Sequence, residues 1–134
     1  MNVLLTGKAT KEEIQEAVDH YELDFKKILA PDERDFGDVF ANWAQENEVD
    51  YEVRKPEWSN VDPESTNGRV SVGQNKFGPY NKRAAFNRNE DLVTESDVVV
   101  LFGNDRTGSH IEECAEKQEK KILEWPELDE HVPF

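Results

Sequence analysis

The chain has 134 residues, a formal net charge of -14 and one cysteine, Cys114. This length suits one domain that buries roughly 65–70% of its unfolded surface, and the acidic excess excludes a broad grip on duplex nucleic acid or anionic lipid, which needs Lys and Arg. A lone cysteine excludes an intrachain disulfide framework, and no apolar run has the length of a secretion-signal core or a membrane span, so the expectation is a cytoplasmic protein without membrane contact.

In chain order, residues 2–6 carry Val3, Leu4 and Leu5 and read as a short buried strand broken by Gly7. Thr10-Lys11-Glu12-Glu13 matches a capping box, with Ile14, Ala17 and Val18 on one helical face behind it. Residues 25–29 repeat the strand signal, and residues 31–37 form a polar break. Val39, Phe40, Trp43 and Ala44 then fall at helical spacing before a third strand around 51–53. Residues 56–79 are rich in Gly, Pro, Asn and Ser and are expected to form a long loop. A helix is expected over 81–94, the most apolar strand over 97–102, a further helix over 109–119, a short strand over 121–123, and an irregular tail after 125.

Strands alternating with helices in this rhythm predict right-handed crossovers: a Rossmann-like three-layer α/β domain with a five-stranded, mainly parallel sheet in order 3-2-1-4-5. The domain is expected to span residues 1–134. Ligands on such sheets sit at the carboxyl ends of the strands, which directs attention to Thr6-Gly7-Lys8, to residues 30–37 and to the Gly103–Ser109 turn. That turn feeds the amino end of a helix, where unpaired N–H groups and the helix dipole favour an anion. Gly103, Thr107, Gly108 and Ser109 are therefore candidate ligand contacts, although a capped helix after a turn has the same pattern. Glu112 follows almost one helical turn after Gly108; it is a candidate acid, base or nucleophile at an N-glycosidic carbon, or simply a carboxylate placed for the dipole.

Lys82, Arg83 and Arg88 concentrate positive charge in an acidic chain, and Arg88 with Asn89 offers forked donors to phosphate or ribose. The alternative is a solvated helix whose Arg88 pairs with Glu90 or Asp91. Trp58, at the mouth of the long loop, is a candidate stacking platform, whereas Trp43 and Cys114 read as core residues. His20, His110 and His131 share no ligand spacing with Cys114, so no metal site is expected, and no cofactor.

Residues 80–93, the following strand and the 103–109 turn together resemble the SLOG superfamily, in particular its small bacterial and phage branch, which is related to the LOG phosphoribohydrolases. The likeness extends to Val3-Leu4-Leu5-Thr6-Gly7 and to Ala41-Asn42-Trp43-Ala44. It implies a nucleotide-binding Rossmann-like fold, with Gly7 near a phosphate and Arg88 and Asn89 lining the pocket. It also implies Gly108-Ser109 in place of the family's Gly-Thr pair, Glu112 at the position of the LOG catalytic glutamate, and a homodimer. The chain departs from the pattern in its second loop, which has a single glycine and four carboxylates, Asp38 standing at the family's acidic position, and in Lys8, where the branch often has Ser followed by Arg. Gly108–Glu112 is also similar to the turn of the nucleoside 2-deoxyribosyltransferases, a family that does not account for Arg88-Asn89. The resulting expectation is a binder of a nucleotide or nucleoside-like small molecule acting as a sensor or scavenger. The alternatives are an N-glycosidic hydrolase or deoxyribosyltransferase using Glu112, and an acidic module that docks a basic protein.

Overall fold

The computed structural model describes residues 1–32, 37–103 and 105–126, with Gly37 and Asp38 described in their backbone alone. Five strands make one sheet: β1 (Asn2–Gly7), β2 (Lys27–Pro31), β3 (Tyr51–Arg54), β6 (Val98–Phe102) and β7 (Lys121–Trp125). Their order is β3-β2-β1-β6-β7 and every pairing is parallel. This is the predicted order, with β1 and β6 side by side at the centre. Val3 to Gly7 and Val98 to Phe102 are buried along their whole length, as strands covered on both faces must be.

The helices α1 (Lys11–Tyr21), α2 (Gly37–Glu46), α3 (Ala84–Glu95) and α4 (Arg106–Lys117) make the outer layers. Alternation along each strand divides the core in two. Val3 and Leu5 of β1 and Val98, Val100 and Phe102 of β6 pack with Ile14 and Ala17 of α1 and Phe40 and Trp43 of α2. Leu4 of β1 and Val99 and Leu101 of β6 face the other way, against Leu92 and Val93 of α3 and Ile111, Cys114 and Ala115 of α4. The architecture is a Rossmann-like α/β sandwich of three layers. Trp43 and Cys114 are core residues, as expected. Among the described residues no helix is long and apolar enough to cross a membrane.

β2 and β7 each end two residues later than expected, and two helix starts differ by three. The segment expected as loop holds a small antiparallel hairpin, β4 (Val72–Asn75) with β5 (Gly78–Asn81), so α3 begins at Ala84 rather than near residue 81. Asn81 is instead a buried tie: its Oδ1 accepts from the backbone N–H of Ser71 and of Arg83, holding the hairpin to the start of α3. Likewise α4 begins three residues earlier than residue 109. The tail beyond residue 126 lies outside the described residues.

Candidate functional site

The strand order reverses between β1 and β6, the place where sheets of this kind receive their ligands. Gly7 ends β1 with φ +109°, and a Cβ there would lie 2.8 Å from the Phe102 carbonyl carbon. Only glycine allows the two strands to close up at this point. Lys8 N–H then donates to the Phe102 carbonyl oxygen at 3.1 Å. Thr6 is fully buried inside the sheet, and its hydroxyl has no hydrogen-bond partner among the described residues. Gly103 leaves β6 exposed with φ +81°. The side chain of Asp38, a candidate from the sequence, and residues 33–36 and 104 lie outside the described residues.

At the start of α4 the cap is Asp105 and not Ser109: the Asp105 carboxylate accepts from Gly108 N–H at 2.6 Å. A carboxylate of the chain itself thus holds the place that the sequence offered to a phosphate. Thr107 and Gly108 lie in the first turn, and Ser109 is exposed on the helix. Glu112 is one turn further in and lines a cavity of about 270 Å³ with Gly103, Gly108, Glu124 and Trp125 at the carboxyl ends of β6 and β7. Burial, with the charges of Glu124 and Glu116 added, pushes the Glu112 carboxyl above its ordinary range. The arrangement sets a carboxyl with a raised pKa beside the aromatic wall of Trp125.

Arg88 and Asn89 take another direction. Arg88 is 7% exposed, donates from Nη1 to the Asp32 carbonyl oxygen just past β2 at 3.2 Å, and from Nε to Asn89 Oδ1 at 3.1 Å. Because an arginine only donates, the Asn89 amide is turned so that Nδ2 faces His110 Nδ1 at 3.0 Å, and the neutral imidazole keeps its proton on Nε2. Nε2 stands 3.6 Å from Cys114 Sγ. Burial pushes the His110 imidazole below its ordinary range and the Cys114 thiol above its own, so both ends of this chain of contacts are neutral. Its effect is to fix Arg88. The carboxylates Glu90 and Asp91, alternative partners for Arg88, are taken by Arg69, and Glu90 also by Arg83.

Arg88 lines a second cavity, of about 280 Å³, between the carboxyl end of β3, the segment after it and the amino half of α3. Four cations border it, Arg54, Lys55, Arg69 and Arg88, against two carboxylates, Glu57 and Asp91. Of the seven buried polar or charged side chains among the described residues, four line this one cavity: Thr66, Asn81, Asn87 and Arg88. Trp58 is half exposed beside it, and its neighbour Glu57, rather than Trp58, belongs to the lining. The expected residues are thus divided, with Arg88 in the basic cavity and Gly103, Gly108 and Glu112 in the acidic one. Sequence reasoning passed over Arg54, Lys55, Arg69 and Asn87. Arg54-Lys55 at the exit of a strand was a readable signal; nothing local marks Arg69 or Asn87.

No family model matches the chain, and no curated protein matches it. Among solved structures the chain is similar to a protein described as a predicted subunit of tRNA methyltransferase from Methanocaldococcus jannaschii. The identity is 11% and the TM-score 0.47, with 98% of this chain and 70% of that chain covered.

Proposed function

We propose that this protein binds an anionic, nucleotide-type ligand at the carboxyl edge of its sheet, with the anionic group in the cavity bordered by Arg54, Lys55, Arg69 and Arg88. The observation that carries this reading is the gathering of four cations and four buried polar side chains around one cavity in a chain of net charge -14. Guanidinium groups are forked, charge-assisted donors that suit a phosphate, which would share Arg54 and Arg69 with the carboxylates that now pair with them. The SLOG resemblance, which implies a pocket lined by Arg88, supports the same site. The test is thermal-shift screening at low salt against mono-, di- and cyclic nucleotides. At least one should raise the melting temperature. Lys55→Gln, an exposed position, should weaken the best ligand roughly fivefold to tenfold in calorimetry without unfolding the protein. No stabilisation by any of them would overturn the reading.

A second reading has its own observation. The raised carboxyl of Glu112, facing Glu124 and Trp125 across a cavity, suits a general acid at an N-glycosidic bond. Release of free base from nucleoside monophosphates, followed chromatographically and lost in Glu112→Gln, would establish it; release unchanged by that substitution would remove Glu112 as the acid.

A further inference from the structure

In a chain with 30 Asp and Glu against 16 Lys and Arg, residues 65–89 hold five cations, Arg69, Lys76, Lys82, Arg83 and Arg88, and no carboxylate. The hairpin β4–β5 lies in the middle of this stretch. Arg69 and Arg83 are paired with Glu90 or Asp91, and Arg88 is held by the Asp32 carbonyl oxygen. Lys76 and Lys82 are exposed and make no ion pair among the described residues. Apolar surface is open beside them: Phe77, at the turn, is 85% exposed and Val72 54%, with Lys76 Nζ 5.1 Å from the centre of the Phe77 ring. The ribbon also has a free edge. Val72 stands opposite Asn81, Gly73 opposite Tyr80, Gln74 opposite Pro79 and Asn75 opposite Gly78. Lys82 N–H donates to the Ser71 carbonyl oxygen at 2.8 Å, which sets the alternation, so the N–H and C=O groups of Val72 and Gln74 point away from β5. On the β5 side the outward N–H of Asn81 is taken by the Trp58 carbonyl oxygen at 2.7 Å, and Pro79 has no N–H. On the β4 side nothing among the described residues pairs with the edge. The Tyr80 ring and the Lys82 stem lie over Gly73, where a Cβ would be 2.8 Å from Lys82 Cε. The Lys82 ammonium is thereby carried across the ribbon onto β4.

We infer that the outer edge of β4 receives an extended acidic peptide of a partner protein as a third strand of the ribbon. Its backbone bonds to Val72 and Gln74, its carboxylates meet Lys76 and Lys82, and an apolar side chain covers Val72 and Phe77. Outward main-chain donors and acceptors in alternation match a peptide strand, whereas a phosphodiester backbone brings acceptors alone. Two lysines without ion-pair partners select carboxylates over a basic segment. The rest of the molecule repels an anion at long range, and at about 0.15 M salt that repulsion is screened beyond about 8 Å, which leaves the local contact with the lysines.

Fluorescence anisotropy at about 0.15 M salt tests the inference with a labelled peptide of about six residues that alternates glutamate and valine. It should bind the wild-type protein roughly tenfold more tightly than the same peptide with methylated backbone nitrogens, which has lost its donors to the Val72 and Gln74 carbonyls. A lysine–valine peptide should be weaker by a similar factor. Gln74→Pro removes an outward N–H while sparing the bonds to β5, and should weaken the glutamate–valine peptide roughly tenfold; Lys82→Gln should weaken it about threefold. Equal binding of the methylated peptide overturns strand addition, and that comparison stands even if Gln74→Pro fails to fold. Equal binding of the lysine–valine peptide overturns the acidic partner. A uridine oligonucleotide that binds more tightly than the glutamate–valine peptide would give the hairpin to single-stranded nucleic acid instead. A dimer of the protein alone that is lost in Gln74→Pro would give the edge to a second copy, and absence of binding by the glutamate–valine peptide would remove the docking strand altogether.

Discussion

Gly7 and Gly103 both have positive φ, yet they are needed for different reasons. At Gly103 a Cβ would meet nothing within 4 Å, so Gly103→Ala should cost only the backbone strain, roughly 1–2 kcal/mol. At Gly7 the same Cβ would also meet the carbonyl of Phe102, in a strand pairing that leaves no slack. Gly7→Ala should therefore be clearly the worse of the two, by about 2 kcal/mol or more in denaturant titration; equal losses would mean that β1 and β6 can part at this edge. For Glu112 the sign of the pH effect follows from its raised carboxyl. The folded protein keeps this proton at pH values where the unfolded chain, with its ordinary 4.5, has lost it, so stability drawn from Glu112 is present below 4.5 and lost as pH rises through the folded value. Glu112→Gln should remove that part of the slope, making the variant at least as stable as wild type near neutral pH. A variant markedly less stable there would show that the charged form is the one the fold holds.

At the scale of elements, what was legible had a local cause. The capping box of α1 is present on both sides, Thr10 accepting from Glu13 N–H and Glu13 from Thr10 N–H, because all its parts lie within four residues. β1, β2 and β6 were legible from their apolar runs, and β3 and β7, which carry charged residues, from their place in the alternation of strands with helices. The hairpin β4–β5 was not, since Val72–Asn75 and Gly78–Asn81 show no alternation that a two-stranded ribbon over a polar loop would need. The start of α4 was misjudged because Asp105 and Ser109 are both good caps and Gly108 looks like a stop. Packing decides between them: the earlier start places Ile111, Cys114 and Ala115 together on the sheet. For the candidate site the boundary of legibility is the same. Arg88-Asn89 stood out as a cluster, but the basic cavity is closed by the bonds of Asn81 and Asn87 to Arg69, 12 and 18 residues away in sequence, which no local pattern announces.

Among the described residues no carboxylate side chain is buried, and most of the cations named above are already engaged. Arg54 is tied to Glu52 and Glu95, Arg69 to Glu90 and Asp91, Lys27 to Glu52 and Lys11 to Glu46. These pairs are partly or largely solvated, and such pairs contribute only about 0–1 kcal/mol each. The remaining carboxylates repel one another over longer distances, and a net charge of -14 opposes the compact state. Salt weakens both effects, but unequally. The Debye length falls from about 30 Å at 0.01 M to about 3 Å at 1 M, removing the long-range repulsion first, while pairs in contact keep most of their attraction. The melting temperature should therefore rise as sodium chloride is raised from about 0.01 M to about 0.5 M, within the range over which the Debye length drops most. Differential scanning fluorimetry over that series checks this. A melting temperature that falls instead would mean that the ion pairs around Arg54 and Arg69 outweigh the repulsion of the rest, so that the basic cavity is itself a main electrostatic support of the fold.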